Sequence, residues 1–187
     1  MIGRGGRVRA LSAAGLAAVV AAGCSTSADV RLIEKSMEPA IRSGELVELD
    51  AFAYDDRDPR RGEIITFGPP AGVDSLTCPV EPAPGAPCGE PAGRGDGPSL
   101  IKRVIAQPGD TVAIDVRGRA IVNGETESGT DIIQCRPTDE CELPEPITVP
   151  PGHLFVMGDN RPYSGDSRDF GPIEIDSVEG KVTPPER

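Results

Sequence analysis

Glycine and proline divide this chain into short segments, and that division restricts the possible folds more than any other feature. The 187 residues include 23 glycines and 20 prolines. Both residue types interrupt regular elements, so the chain favours short strands over long helices. Aromatic residues make up only 3% and Trp is absent, so the core has to be largely aliphatic. The sequence therefore predicts one mainly β domain with a core of its own.

Short apolar runs between the turn signals predict the strands. They lie at residues 30–33, 46–49, 64–67, 100–105, 111–116 and 153–157. By contrast, residues 68–99 are rich in Pro and Gly and lack apolar periodicity. A loop of that length without elements is usually functional or disordered, so we interpret it as an insertion.

The first 23 residues have the pattern of an export signal. A basic segment is followed by an apolar run of 13 residues, 10–22, and then by Gly23 and Cys24. That run is short for a permanent membrane span, which needs about 20 residues. We interpret Cys24 as a candidate lipidated terminus, residues 24–29 as a polar tether, and residues 30–187 as the folded domain. An uncleaved anchor and plain secretion remain alternatives, and all three place the domain outside the cytoplasm.

Charge and metal-ligand content exclude several functions. The net charge is −11, and it becomes −14 if the leader with Arg4, Arg7 and Arg9 is removed. Nucleic-acid binding needs a basic surface, so we expect no nucleic-acid partner. Because His153 is the single histidine, a serine–histidine triad is disfavoured. No His and Cys spacing fits zinc, and we expect neither a metal nor another cofactor.

Lys102 lies in the strand predicted at residues 100–105. Strand alternation places it on one face with Leu100 and Val104, and places Arg103 on the other face with Ile101. An apolar environment lowers the pKa of a lysine from its usual value of about 10.4. A neutral amine can accept a proton from a nucleophile, so Lys102 is a candidate general base. The alternative is an ordinary lysine that extends its amine to water.

Two further segments carry polar groups suited to catalysis. Pro39 pushes Glu38 out of helical conformation, which places the hydroxyl of Ser36 at a tight bend. Residues 158–171 follow an apolar strand and alternate Asp and Arg with serines. Their spacing fails the calcium-loop pattern, but such residues can form an ion network that stiffens a site.

The cysteines are consistent with an exported domain. Cys78 and Cys88 lie ten residues apart within the 68–99 insertion, while Cys135 and Cys141 lie in a polar stretch further along. Pairing these four leaves Cys24 for lipidation. Four cysteines allow three pairings, so the sequence leaves the connectivity open.

Four sequence blocks together resemble the type I signal peptidases, the serine–lysine endopeptidases that cut leaders from exported proteins. The blocks are 36–39 (Ser-Met-Glu-Pro), 61–67, 102–110 (Lys-Arg-Val-Ile-Ala-Gln-Pro-Gly-Asp) and 158–171. They occur in the family's order. The lysine block and the final block are specific, whereas Ser-Met-x-Pro alone is weak.

The resemblance implies a fold and a set of roles. The fold would be an antiparallel β catalytic core with a small inserted cap near residues 115–150. Ser36 would be the nucleophile and Lys102 the base, with Ser164 hydrogen-bonding the Lys102 amine and the Ser36 N–H serving as an oxyanion donor. The loop carrying Ser164 would be held by four charged residues, Asp159, Arg161, Asp166 and Arg168. Cys135 and Cys141 fall where some relatives carry a disulfide.

The resemblance also implies partners and a location. The substrates would be exported precursor proteins, and the domain would act as a monomer, anchored by lipid or by its N-terminal segment at the extracytoplasmic face of the cell membrane. One position departs from the family pattern: Glu34 stands two residues before Ser36, where some relatives have a serine that completes the oxyanion hole. A carboxylate donates no hydrogen bond there, so a non-catalytic binding module is the alternative function. A self-cleaving repressor-type peptidase is disfavoured, because no helix-turn-helix segment precedes Ser36.

Overall fold

The computed structural model describes residues 27–32, 34–71, 78, 88–89, 91 and 93–186. Within these residues the chain is mainly β, with one four-residue helix and short 3₁₀ turns. The strands are β1 Ser27–Arg31, β2 Leu46–Asp50, β3 Ile64–Phe67, β4 Leu100–Ala106, β5 Thr111–Ile114, β6 Ala120–Val122, β7 Glu125–Thr126, β8 Leu143–Thr148, β9 His153–Met157, β10 Ile173–Glu174 and β11 Val178–Thr183, and the helix is α1 Ser167–Phe170.

Seven of these strands form the main sheet, in the order β1-β2-β11-β3-β4-β9-β10. Every neighbouring pair in it is antiparallel. Strand β4 lies between β3 and β9, so its backbone is paired on both sides. The strand that carries Lys102 is therefore an interior element of the sheet, where side chains are held firmly.

The remaining four strands form a smaller sheet in the order β7-β6-β5-β8. It begins at Thr111, slightly before the cap predicted at residues 115–150. The sequence did not predict β8, which contains Pro144 and Pro146. Because β8 is an edge strand paired only with β5, prolines that cannot donate a hydrogen bond are tolerated there.

The core consists of three clusters of buried apolar side chains, and β4 contributes to all of them. Val104 packs with Ile65 and Phe170, with Leu100 partly buried against the same cluster. Ile101 packs in a second cluster with Met37 and other side chains, and Ile105 packs in the third. The two faces of β4 thus alternate as predicted up to Val104, where an irregularity in the pairing with β9 shifts the register.

Several elements begin or end at residues other than those predicted from the sequence. Strand β1 begins at Ser27, inside the predicted tether, and ends at Arg31, because its backbone pairs with β2 from Ser27↔Asp50 to Arg31↔Leu46. Strand β5 ends at Ile114, since residues 115–119 form a turn closed by the Asp115 side chain. The sequence also missed β11, although this strand pairs with both β2 and β3.

Part of the predicted organisation lies outside the described residues. This holds for the leader at residues 1–23, for Cys24, and for most of the insertion at residues 68–99. Of that insertion, Pro70 forms an isolated bridge with Arg94 near the base of the loop. No helix among the described residues has both the length and the apolar character needed to span a membrane.

Candidate active site

Ser36, on the turn between β1 and β2, meets Lys102 of the interior strand β4. The Lys102 Nζ and the Ser36 Oγ lie 2.9 Å apart in a buried hydrogen bond between residues 66 positions apart in sequence. The exposed fraction is 1% for Lys102 and 4% for Ser36. Both groups predicted from separate sequence blocks are therefore in direct contact and shielded from water.

A tight turn presents Ser36 to Lys102. The Glu38 N–H donates to the Lys35 carbonyl at 3.2 Å, and the Ile41 N–H donates to the Met37 carbonyl at 2.8 Å. Met37 and Ile41 are completely buried in the cluster that also contains Ile101 of β4. Apolar packing of Met37 and Ile41 thus fixes the turn that carries Ser36 against the strand that carries Lys102.

Burial is the main influence on the Lys102 amine, and it lowers its pKa below the usual value. The nearby carboxylates of Asp166 and Glu34 act in the opposite direction and raise it, while Arg168 lowers it and Asp169 raises it. The net direction is downward. A neutral amine has a lone pair that can accept the Ser36 hydroxyl proton, which a lysine with an ordinary pKa lacks at neutral pH.

Ser164 has partners other than the predicted one. Its Oγ accepts a hydrogen bond from the Gly158 N–H at 3.2 Å, and the same N–H also donates to the Asp166 carboxylate at 3.1 Å. Among the described residues, the Lys102 amine bonds to Ser36 and not to Ser164. Ser164 therefore connects the two ends of its own loop, because Gly158 and Asp166 approach each other behind the lysine.

Asp159 anchors the start of that loop to β4. Both nitrogens of the Arg103 guanidinium edge contact its carboxylate, with Nε–Oδ1 at 2.7 Å and Nη2–Oδ2 at 2.6 Å. The Asp159 side chain is completely buried. Such two-point pairs fix geometry as well as charge. Arg103 had no role in the sequence-based prediction, although its position next to Lys102 and on the opposite face of the strand was correct.

Asp166 and Arg168 hold the other end of the loop. Arg168 Nε and Nη2 contact the two oxygens of Asp166 at 2.8 and 2.9 Å. Asp166 also caps α1 and accepts from the Gly158 N–H at 3.1 Å. Burial alone would raise its pKa, but the Arg168 charge and these hydrogen bonds hold the pKa of Asp166 below its usual range. The carboxylate therefore stays charged near Lys102.

Arg161 joins the loop to the smaller sheet. Its fully buried guanidinium donates from Nε to the Gly158 carbonyl at 3.0 Å, bonds to the Gly118 carbonyl, and forms a two-point ion pair with Glu127. The sequence predicted that Arg161 supports the loop but did not identify Glu127, which lies 34 residues away. Only the fold brings these two residues together.

The turn of Ser36 is also held by Asn160, which lies in the 158–171 block and had no predicted role. The Asn160 side-chain Nδ2 donates to the Lys35 carbonyl at 3.1 Å, and its backbone N–H donates to the Ser36 carbonyl at 2.9 Å. Gly158 lies so close that a Cβ there would come within 2.5 Å of the Ser36 carbonyl oxygen. The type of residue at these positions is therefore dictated by contacts with the nucleophile turn.

Glu34 lies at the mouth of the site. Its side chain is exposed, and its Oε2 lies 3.4 Å from the Ser36 Oγ. The contact is long for an O–H···O hydrogen bond. The departure noted in the sequence thus places a carboxylate beside the nucleophile rather than turned away from it.

Two clefts are lined by residues of the segments described above. One, of about 510 Å³, is lined by Pro39 and Ala40, which follow Ser36, and by residues 127–132, which follow β7. The other, of about 470 Å³, is lined by Ser164, Arg168 and residues 139–143, among others. Among the described residues, no group of three or more His, Cys, Asp or Glu side chains could hold a metal ion.

The four cysteines among the described residues lie in the two pairs considered from the sequence. The Sγ atoms of Cys78 and Cys88 lie 2.01 Å apart, and those of Cys135 and Cys141 lie 1.94 Å apart. Both distances are those of a disulfide bond. The second pair lies beside the turn at Gly118, where a Cβ would come within 2.9 Å of the Cys135 Sγ. Of the three possible pairings, the fold selects this one.

Comparisons with known proteins identify the family of this chain. The family model described as "Signal peptidase, peptidase S26" matches residues 7–185. The signal peptidase I of Bacillus caldolyticus is 31% identical over 157 residues, which cover 79% of this chain and 72% of that protein. A probable signal peptidase I of Synechocystis is 30% identical over 168 residues, covering 89% and 66% of the two chains.

Two further relatives differ in length or in coverage. A probable thylakoidal processing peptidase of Arabidopsis thaliana is 31% identical over 146 residues, and this chain spans 34% of its length. A solved signal peptidase I structure from Enterococcus faecalis is 28% identical to this chain and superposes with a TM-score of 0.43. The alignment covers 68% of this chain and 98% of that one. Because the family model covers nearly the whole chain, this protein belongs to the signal peptidase family, peptidase S26.

Proposed function

We propose that this protein is a serine endopeptidase that cleaves leader peptides from exported precursor proteins, with Ser36 as nucleophile and Lys102 as general base. The 2.9 Å contact between the buried amine and the buried hydroxyl is the observation that supports this most strongly. A lysine in such a site is a base only when it is neutral, and burial favours the neutral form. Family membership supports the choice of substrate class.

The chemistry follows from this pair. The Lys102 amine takes the Ser36 proton as Oγ attacks the scissile carbonyl, and the resulting ammonium gives that proton to the departing amine of the mature protein. The acyl group then remains on Ser36. Lys102, neutral again, takes a proton from a water molecule that attacks the acyl carbon, and it returns the proton to Ser36. The Ser36 N–H donates to the oxyanion in both steps.

The loop at residues 158–168 has a supporting role in this proposal. Asp166 and Arg168 neutralise each other behind Lys102, while Asp159 pairs with Arg103 on β4 and Arg161 pairs with Glu127. Because every charge in the loop has a partner, the loop is rigid without placing a net charge beside the amine. Ser164 then acts by closing the loop between Gly158 and Asp166 rather than by contacting the base.

The substrate would bind as an extended chain. Strand β1 is the outermost strand of the main sheet, and the chain runs from it into the Ser36 turn. An exposed strand edge can pair with a peptide through backbone hydrogen bonds, and shallow pockets would then accept small side chains. We propose that the leader approaches along this edge and that the protein acts as a monomer.

We further propose that the domain is held at the extracytoplasmic face of the cell membrane by its N-terminal segment, through lipid on Cys24 or an uncleaved anchor. The Cys78–Cys88 and Cys135–Cys141 pairs support an oxidising compartment, where disulfides persist. The mass of the N-terminal fragment of the purified protein distinguishes a lipidated Cys24 from an intact leader.

Cleavage of a leader-bearing precursor by the purified full chain tests the function. The wild type should release the mature protein, and Ser36→Ala should reduce the rate by at least about 10³-fold because no nucleophile remains. Ser43→Ala is a matched control, since Ser43 lies in an exposed turn and the change removes the same hydroxyl. Cleavage by Ser36→Ala at the wild-type rate would refute the proposal.

Glu34 should reduce activity near neutral pH, and Glu34→Gln should raise kcat/KM there by about two- to fivefold, the range for an exposed charge. The Glu34 carboxylate raises the pKa of Lys102. Removing its charge lowers that pKa, so the rise of kcat/KM with pH should move to lower pH. Glu34→Ser should increase kcat further by adding a donor near the oxyanion.

The control for this effect is Glu48→Gln, which removes the same charge from an exposed position on β2. It should leave the pH profile unchanged. The 3.4 Å contact of Glu34 with Ser36 also motivates the second candidate function, a membrane-anchored binding module in which the carboxylate blocks catalysis. Turnover by the wild type would exclude that alternative. An inactive wild type together with an active Glu34→Ser variant would support it.

A further inference from the structure

Asn160 contacts the two peptide groups on either side of the Ser36 Cα. Its Nδ2 donates to the Lys35 carbonyl at 3.1 Å, and its backbone N–H donates to the Ser36 carbonyl at 2.9 Å. Asn160 is 3% exposed. The bridge between Asn160 and Ile133 and the ion pairs of Asp159 and Arg161 hold it in place from both sides.

The first of these bonds matters for the oxyanion. The Lys35 carbonyl and the Ser36 N–H belong to one planar peptide group and point in opposite directions. The Glu38 N–H also donates to this carbonyl, at 3.2 Å, and the two donors together fix the direction in which the Ser36 N–H points. A donor bound to the carbonyl also polarises the whole group, which strengthens the hydrogen bond that the N–H can give.

The other end of the same side chain argues against a role in stability alone. Among the described residues, the Asn160 Oδ1 is the buried side-chain atom without a hydrogen-bond partner. A buried acceptor without a partner is unfavourable, so an apolar side chain of the same size would avoid that cost. This position nevertheless carries an amide, of which the structure uses only the donor half.

We propose that Asn160 is a positioning residue that orients the Ser36 N–H toward the oxyanion through the Lys35 carbonyl. This inference rests on the proposed peptidase function. Asn160 has no hydrogen bond to Lys102, and it acts through the turn that carries Ser36. Its contribution therefore belongs to the transition state, where the oxyanion carries charge, and not to substrate binding.

The test is Asn160→Leu in the full chain. Leucine has nearly the same size but no donor, and the backbone N–H bond to Ser36 is retained. We expect kcat for leader cleavage to fall by about 10- to 100-fold, less than the roughly 10²–10³-fold loss when an oxyanion donor is removed outright. KM and the midpoint of the pH profile should not change, because Asn160 carries no charge and is buried beneath the Ser36 turn.

Two inhibitors give a readout that a purely structural role would not alter. A leader-peptide aldehyde forms a tetrahedral adduct with Ser36, whereas the same peptide as a carboxamide binds only as ground state. Asn160→Leu should weaken binding of the aldehyde by the same factor by which kcat falls, and it should leave the affinity for the carboxamide unchanged. Equal weakening of both, or a kcat equal to the wild type, would overturn the inference.

Controls separate this inference from the proposed function. Gln107→Leu removes another side-chain amide, one that donates to the Pro59 carbonyl over 3.0 Å and does not contact the Ser36 turn. This control should leave kcat unchanged. If Asn160→Leu does not fold, Asn160→Ser provides the same comparison, since its side chain is too short to span the distance to the Lys35 carbonyl. If Ser36→Ala cleaves normally, the proposed function fails and this inference fails with it. If Ser36→Ala is inactive while the Asn160 variants keep their kcat, only the inference fails.

Discussion

Lys102→Met should reduce leader cleavage by about 10²–10⁴-fold, which is the contribution of a positioned general base. Methionine fills a similar volume in the apolar surroundings of Lys102 but cannot accept a proton from Ser36. Lys102→Arg should be equally inactive, because a guanidinium stays charged at any pH at which the protein is folded. The measurement is kcat/KM against pH for wild type and variants.

The pH dependence follows from the direction of the Lys102 shift. Since burial lowers the pKa of Lys102, the wild-type rate should rise with pH and reach its plateau below the usual lysine value of about 10.4. An unfolded lysine binds its proton more tightly than this buried one, so the wild type loses stability as pH falls from about 10.4 through the lowered pKa. Lys102→Met should therefore be more stable than wild type, most clearly at low pH.

The control is Lys181→Met, which removes a half-buried strand lysine whose Nζ lies 3.3 Å from the Glu63 carboxylate. It should keep full activity and the wild-type pH profile. An active Lys102→Met, or a wild-type rate that does not plateau until pH exceeds the usual lysine pKa, would contradict the assignment of the base.

Glu127→Ala should be the most destabilising single change at the boundary between the two sheets. It leaves the fully buried Arg161 guanidinium without its carboxylate, and breaking a buried pair in this way costs about 3–5 kcal/mol. For a chain of this length that corresponds to a fall in Tm of roughly 6–20 °C. Thermal unfolding measures the loss, and kcat should fall as well because Arg161 supports the loop behind Lys102.

The double variant Glu127→Ala with Arg161→Met completes the cycle. It removes the unpaired charge, so it should be more stable than Glu127→Ala alone. Asp139→Ala is the matched control, because it breaks the ion pair with the exposed Arg136 on a loop of the same region. It should lower Tm by only a small fraction of the Glu127→Ala change. Equal effects of the two single variants would show that the Arg161 pair has no special role.

Ser36 and Lys102 could be singled out from sequence because each lies in a block that resembles the signal peptidases, although the local signal of either residue alone is weak. Pro39 fixes the bend at Ser36, and the apolar residues around Lys102 indicate its burial. The alternation of Lys102 and Arg103 on β4 was also predictable, since side chains in a strand point to opposite faces. Their 2.9 Å contact could only be inferred from the family resemblance, because it joins positions 66 residues apart.

The partners of the final block were less predictable. The sequence indicated an ion network from alternating Asp and Arg, but it could not show that Asp159 pairs with Arg103 or that Arg161 pairs with Glu127. It assigned Ser164 to the Lys102 amine, whereas the hydroxyl closes its own loop. A serine can bond to whichever donor or acceptor the fold brings nearest, so its partner is not encoded locally.

By itself the sequence determined the class of fold and several of the short strands, because glycine, proline and apolar alternation act over a few residues. Its resemblance to the signal peptidases indicated which residues could carry serine–lysine chemistry. The tertiary structure decided which groups meet: Ser36 with Lys102, Asn160 with the Lys35 carbonyl, and the cysteines in their two pairs. It also decided that the Lys102 amine is buried. Strands and loops from distant parts of the chain have to pack over that amine to exclude water from it.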